Sequence, residues 1–494
     1  MNQDGAERTP ESDRRHFAHT AADFFAAAVV HPWHTIPRRG ESPYRGHQTG
    51  PARFYVRRVT SGKWGKRLLR KILAYKNLLF MLLLLNSTCF FLTDDKRAGI
   101  PYFQELFLLL VLAATACLFV AWKWVYQSKT SLWIIFMGCL LPLISAVLAN
   151  LNFGQPLAYG FLEERRFFQY LVFFPTLFLL LKASPTQEEL GKYFLYVALF
   201  CATLGFAYYL GIIPQNKVAS FTVDDWTQYE DLLRPNRFRI GSPFVTIAAF
   251  MVMYSMKDRV TLGRLAILLY FVAYLWLVMQ TRQTMLVWAL AGVWIFRKRI
   301  DSLMKLSVLG VAILVVSYLL VPEFYHEQYA RFDALLFDAT SGPGVRDRTV
   351  AIILDAISAN NYFGMGALSL QWNGGFSRIY NSHFYLADVG IFGVYYRYGF
   401  LTPIAALIFY GGFIWIMRQC SGKGSLLAAL QLSFVVSMLN ITLSNALTFS
   451  GDVYGMAAAF FLYYAKLQTA NTPLTANLEQ VNYGQFQYRN YKLE

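Results

Sequence analysis

Apolar residues in this chain come in unbroken runs, set apart by short polar loops. The runs approach the roughly 20 residues that span a hydrocarbon core of about 30 Å as a helix. They are continuous rather than alternating, which predicts helices and not a β-barrel. With no water in that core, each helix must satisfy its own backbone. The pattern predicts twelve spans, at about 77–93, 102–122, 131–150, 167–182, 192–212, 241–256, 263–279, 283–296, 305–321, 385–417, 425–447 and 452–466. Only the second half of the tenth is expected to cross fully. The expected fold is all-α and polytopic.

The polar interludes divide the chain further. Residues 1–56 are rich in Arg, His, Pro, Gly and Ser and read as a disordered basic tail. The apolar stretch Ala21 to Val30 is too short to span. The pairs His16 with His19 and His31 with His34 fit one helical face each, but no carboxylate or cysteine completes a metal site, so they read as solvated. Residues 57–76 form a basic juxtamembrane segment, 77–321 hold nine spans with an outer loop at 213–240, and 385–467 hold the last three. Residues 468–494 are a second tail.

The longest interlude, 322–384, is expected to carry function, because long loops in compact folds usually do. Two amphipathic helices are predicted within it. One carries Tyr325, Tyr329, Phe332 and Leu336; the other carries Val350, Ile353, Leu354 and Ile357. Ser341-Gly342-Pro343-Gly344 separates them. Arg346 and Arg348 open the second helix, where free backbone N–H groups favour anions. Gly364 and Gly366 permit a tight turn or a close backbone approach.

Charge sets the orientation. The 494 residues are 56% hydrophobic and 15% charged, with a net charge of +16. Residues 1–76 supply fifteen Lys/Arg against six Asp/Glu, or +9. Beside so many spans, this basicity reads as the cytoplasmic flank of a membrane protein and not as a nucleic-acid surface. Lys257-Asp258-Arg259 with Arg264, Arg297-Lys298-Arg299 with Lys305, and Arg418 with Lys423 fall on the same side. Both termini are then expected in the cytoplasm.

The segments left outside contain Arg97, Arg165, Arg166, Arg234, Arg237, Arg239, Arg282, Arg331, Arg346, Arg348, Arg378 and Arg397, against Lys96 and Lys217 alone. Arginine without lysine suits bidentate recognition of phosphate. The alternative is that these arginines meet lipid headgroups or pair with Asp224, Asp225, Asp333 and Asp347. His383 stands where the chain re-enters the bilayer, a position suited to a general base or an interfacial hydrogen bond. Glu163 and Glu164, beside Arg165 and Arg166, read as salt-bridge partners first and bases second. Cys89, Cys117, Cys139 and Cys201 fall in apolar runs and Cys420 in a short loop, so no disulfide framework or cysteine–histidine metal site is expected.

Three features in order carry a resemblance: Thr281-Arg282-Gln283-Thr284 opening a span; Arg348 followed by Gly364 and Gly366; and His383 ahead of Asp388-Val389-Gly390-Ile391-Phe392-Gly393. Over roughly 150 to 470 the chain resembles the bacterial O-antigen ligase and polymerase superfamily of membrane glycosyltransferases. The resemblance implies a GT-C-like architecture of about twelve spans in the inner membrane, with a large periplasmic loop between the ninth and tenth. It implies inverting, metal-independent transfer of a glycan from an undecaprenyl diphosphate donor to an acceptor hydroxyl, with no cofactor. Arg282, Arg348 and His383 match the family's catalytic positions, and Arg237 or Arg239 fits a looser diphosphate-binding position. Arg346 joins the diphosphate set, and Arg165, Arg166, Glu164, Arg331 and Arg378 are secondary candidates. Phe384 departs from the asparagine that usually follows the histidine. The acceptor is a second lipid-linked glycan in a polymerase, with a chain-length regulator as a possible partner, or lipid A core in a ligase. A transporter or flippase is the non-enzymatic alternative, and it predicts charged residues within spans and internal repeats.

Overall fold

The computed structural model describes residues 74–93, 97–121, 128–216, 237–323, 345–380, 389–420, 424–439 and 451–467, with Tyr325, His326, Tyr329, Phe384 and Leu386 besides. Among these the chain is helical, and the only β-type pairings are single bridges, Phe91 with Ile100 and Phe363 with Gly399. The tails, Arg331, His383, most of the 213–240 loop and all of the helix expected at Tyr325–Phe337 except Tyr325, His326 and Tyr329, which are helical, lie outside the described residues.

In chain order the helices are α1 Tyr75–Asn86, α2 Phe103–Ala121, α3 Lys129–Phe153, α4 Leu157–Glu163, α5 Phe173–Ala183, α6 Gln187–Tyr209, α7 Ser242–Asp258, α8 Leu262–Met279, α9 Arg282–Phe296 and α10 Ile300–Leu320. Then come α11 Val345–Ala359, α12 Gly375–Ile379, α13 Ile391–Tyr398, α14 Thr402–Arg418, α15 Ser425–Leu439 and α16 at 451–467. Four of the described helices are long and apolar enough to cross a membrane: Phe103–Val120, Lys129–Phe153, Gln187–Tyr209 and Leu262–Met279. A fifth is added if Leu157–Glu163 and Phe167–Ala183, bent by 64°, form one span. α2 and α10 expose leucine and valine side chains along much of their length, including Leu109, Leu110, Val308 and Leu319. Such surfaces need an apolar solvent, so the protein is membrane-embedded.

Buried helices occupy the interior. α7 is apolar on every side and nearly all buried, packed between α6, α9 and α15. Phe194 of α6 stacks on Phe244 of α7 at 4.6 Å between ring centroids. α16 is likewise buried along most of its length. Lipid tails are as apolar as leucine, so close packing of such rings and small residues must hold the bundle together.

The breaks between helices position the chemistry. The first span, expected at 77–93, ends its helix at Asn86. Ser87 turns its hydroxyl back onto the Leu84 carbonyl at 2.7 Å, and Thr88 takes a positive φ of 63°. Polar side chains of this kind compete with the helix for backbone groups. In α3, Pro142 has no N–H to give, and the preceding turn widens to a π-helix at Phe136–Leu140, closed by Leu141 N–H onto Phe136 O. The region expected as a tenth span at 385–417 is broken: α13 stops at Gly399 and α14 starts at Thr402.

A second, smaller apolar cluster stands apart from the main core. Ile353 and Ile357 of α11 meet Leu368, Phe376, Phe384, Leu386, Val389 and Tyr396. The helix expected from Val350, Ile353, Leu354 and Ile357 is therefore present as α11, with Val350, Ile353 and Ile357 turned into this cluster and Leu354 exposed.

Candidate functional site

The site is built around the end of α8. Its last turn, Tyr274–Met279, is a π-helix, closed by Gln280 N–H onto Leu275 O at 3.0 Å. Gln280 then adopts a left-handed conformation with φ 48°, which stops the helix, and α9 begins at Arg282. π-turns and positive-φ residues of this kind recur at functional sites. The Thr281 hydroxyl donates to Met279 O at 3.0 Å and Met285 N–H donates to Thr281 O at 3.1 Å, so the backbone around Arg282 is fixed from both sides. The first turn of α9 holds no acidic residue. Its free N–H groups and dipole therefore favour an anion.

The segment before α7 lies against this turn. Phe238 N–H donates to Val278 O at 3.0 Å, and the Tyr274 hydroxyl donates to Ile240 O at 2.6 Å. Tyr274 reaches that carbonyl because α6 has a glycine at Gly205: a Cβ there would stand 2.4 Å from the Tyr274 ring. Phe238 and Ile240 are buried, so strand-like alternation leaves Arg237 half-buried and Arg239 exposed. Arg237 Nε donates to Met279 O at 3.2 Å. Two arginine positions far apart in sequence, Arg237 and Arg282, thus meet at one turn.

The other candidates stand elsewhere. Arg346 and Arg348 sit in the exposed first turn of α11, with Asp347 between them, and Arg378 is exposed at the end of α12. α11 is packed on α13. Phe384, next in the chain after His383, is buried. Its ring stacks on Tyr380 at 4.7 Å and tilts against Phe376 at 5.1 Å. Phe384 has a packing role, because its ring completes the smaller core.

The 151–166 segment, expected as an outer connection, folds into α4 and a sharp break. Arg165 leans on Glu105 with 3.5 Å between Nε and Oε1, and its Nη1 donates to Leu162 O at 3.0 Å. Arg166 interacts electrostatically with Asp452, a buried acid at the start of α16. Glu164 is almost wholly buried and pairs with Arg397 at 3.6 Å. The Ser145 hydroxyl donates to Glu164 Oε1 at 2.5 Å.

Sequence reasoning anticipated a salt bridge for Glu164 but not its partner. Arg397, expected among the outer arginines, is instead buried against Glu164, and Asp452 shows in the sequence only as the first residue of an apolar run. Ser145 and Gln155 gave no signal at all, since isolated small polar residues in apolar stretches are common. Comparison with protein-family models, with curated proteins and with solved structures finds no match for this chain.

Proposed function

We propose that the protein is a membrane glycosyltransferase that moves a glycan from an undecaprenyl diphosphate donor to an acceptor hydroxyl at the periplasmic face of the bacterial inner membrane. In this reading the chain crosses about twelve times with both termini in the cytoplasm, and residues 322–384 form the periplasmic loop. The observation that supports it most is the approach of Arg237 to the turn that opens α9 at Arg282. Breaking the sugar–phosphate bond leaves negative charge on the diphosphate. Fixed guanidinium groups and a helix N-terminus stabilise that charge best where water is scarce. Arg346 and Arg348 stand apart from that turn on α11 and enter the diphosphate set through the resemblance alone, as does His383, which would take the proton of the attacking hydroxyl.

A polymerase joining lipid-linked repeats is the preferred activity, and a ligase acting on lipid A core is the alternative. Purified protein incubated with lipid-linked repeats alone separates them. Chain growth is expected for a polymerase. Growth only when lipid A core is added would identify a ligase, and release of diphosphate carrier in neither case would refute glycan transfer. A transporter reading has one observation in its favour, the buried charges Glu164, Arg397 and Asp452. Movement of intact lipid-linked glycan across sealed vesicles would support it.

A further inference from the structure

Glu164 and Arg397 are only 2% and 4% exposed. An ion pair withdrawn from water this far is weak evidence of stability, because desolvation offsets the attraction. Its placement suggests another role. Through Ser145 the pair touches α3, through Glu164 the break between α4 and α5, and through Arg397 the helix α13. A fourth partner is the stretch 362–369, which follows α11 directly.

That stretch is clasped on both edges. On one edge it runs beside the end of α13: Met365 N–H donates to Tyr396 O at 2.7 Å, Gly366 N–H to Arg397 O at 3.1 Å, and Phe400 N–H to Tyr362 O at 3.0 Å. On the other it lies on α3. Ala367 N–H donates to Ser145 Oγ at 3.0 Å, Asn152 Nδ2 to Gly364 O at 2.9 Å, and Gln155 binds both Ala367 O and Ser369 N–H. The approach is so close that a Cβ on Gly366 would stand 2.3 Å from the Ala149 backbone nitrogen. Ser145 Oγ is the joint: it accepts from the stretch and donates to Glu164, whose charge Arg397 balances. Arg397 in turn offers its own carbonyl to Gly366.

We infer that Glu164 and Arg397, joined to the stretch through Ser145, are positioning residues for the proposed transfer reaction. They fix the register of 364–369 between α3 and α13, and thereby set where α11 holds Arg346 and Arg348. The inference rests on the glycan-transfer reading, since only that reading gives those arginines a task.

The test uses full-length protein in lipid nanodiscs with the substitutions Glu164→Gln, Ser145→Ala and Arg397→Lys. Two quantities are read: amide hydrogen exchange across 360–369, and transfer kinetics with lipid-linked glycan. Exchange in 364–369 is expected to quicken about tenfold in Ser145→Ala, which removes the acceptor of Ala367 N–H, and in Glu164→Gln, which takes away the charge opposite Arg397. kcat is expected to fall about 10- to 100-fold with donor KM within about twofold, the mark of misplaced groups and not of lost binding. Should a variant fail to fold, Ser145→Ala, the least disruptive, still decides. Unchanged exchange in 364–369 would overturn the inference, and so would quickened exchange with unchanged kcat. Quickened exchange in a protein whose unsubstituted form transfers no glycan would overturn the transfer reading and, with it, the positioning role.

Discussion

At the scale of single residues, guanidinium geometry governs how the proposed diphosphate would be held. Arg282 begins a helix whose preceding turn is fixed by Thr281 and Gln280, and Arg237 is tied to Met279 in that same turn. A lysine at 282 keeps the charge and loses the planar fork. Arg282→Lys is expected to lower kcat about 100-fold, the scale seen when one oxyanion donor is removed, at normal expression. Single-turnover kinetics on donor and acceptor would measure it, and full activity would rule out diphosphate clamping by this residue. Tyr274 offers a separate test that concerns stability. Its hydroxyl is buried and donates to Ile240 O, so Tyr274→Phe leaves that carbonyl without this donor and is expected to cost about 1–2 kcal/mol. A lower thermal midpoint in detergent would register the change.

At the scale of elements, breaks matter more than helices. The π-turn ending α8, the bend between α4 and α5, and the stop at Gly399 each set a charged residue at a junction. The stretch 362–369 is the tightest of these junctions. Gly366 combines a positive φ of 77° with backbone contact to α3, and neither can accommodate a side chain. Gly366→Ala is expected to destabilise the fold by about 2–4 kcal/mol through strain and overpacking, measurable as loss of folded protein on heating. Much of this scale was legible in sequence. Long apolar runs predict the helices, the periodic Val350–Ile357 pattern predicts α11, and the Thr281-Arg282 turn marks the start of α9. The junction network was not legible. A hydrogen bond from Asn152 to Gly364 or from Ser145 to Glu164 joins residues that carry no periodic signal. Helix ends also slipped: Asn86 stops α1 early because local polar side chains outbid an apolar pattern that continues past it.

At the scale of the whole molecule, exposed leucine and valine faces on α2 and α10 require lipid around the bundle. The charge pattern then predicts sidedness. A cysteine placed at Arg378 is expected to react with a membrane-impermeant maleimide in intact spheroplasts, and one placed at Lys298 only after permeabilisation. The reverse labelling would invert the proposed topology and refute a periplasmic placement of the proposed site. The two apolar cores bear on how such a protein fails. The larger one is spread through the bundle, whereas the smaller gathers a few residues of α11 and the 368–396 region. Small cooperative units open at lower free energy than the whole. On warming, the proposed transfer activity is therefore expected to vanish at a temperature where helicity is still intact: turnover falls silent while the scaffold remains inserted, and it recovers on cooling.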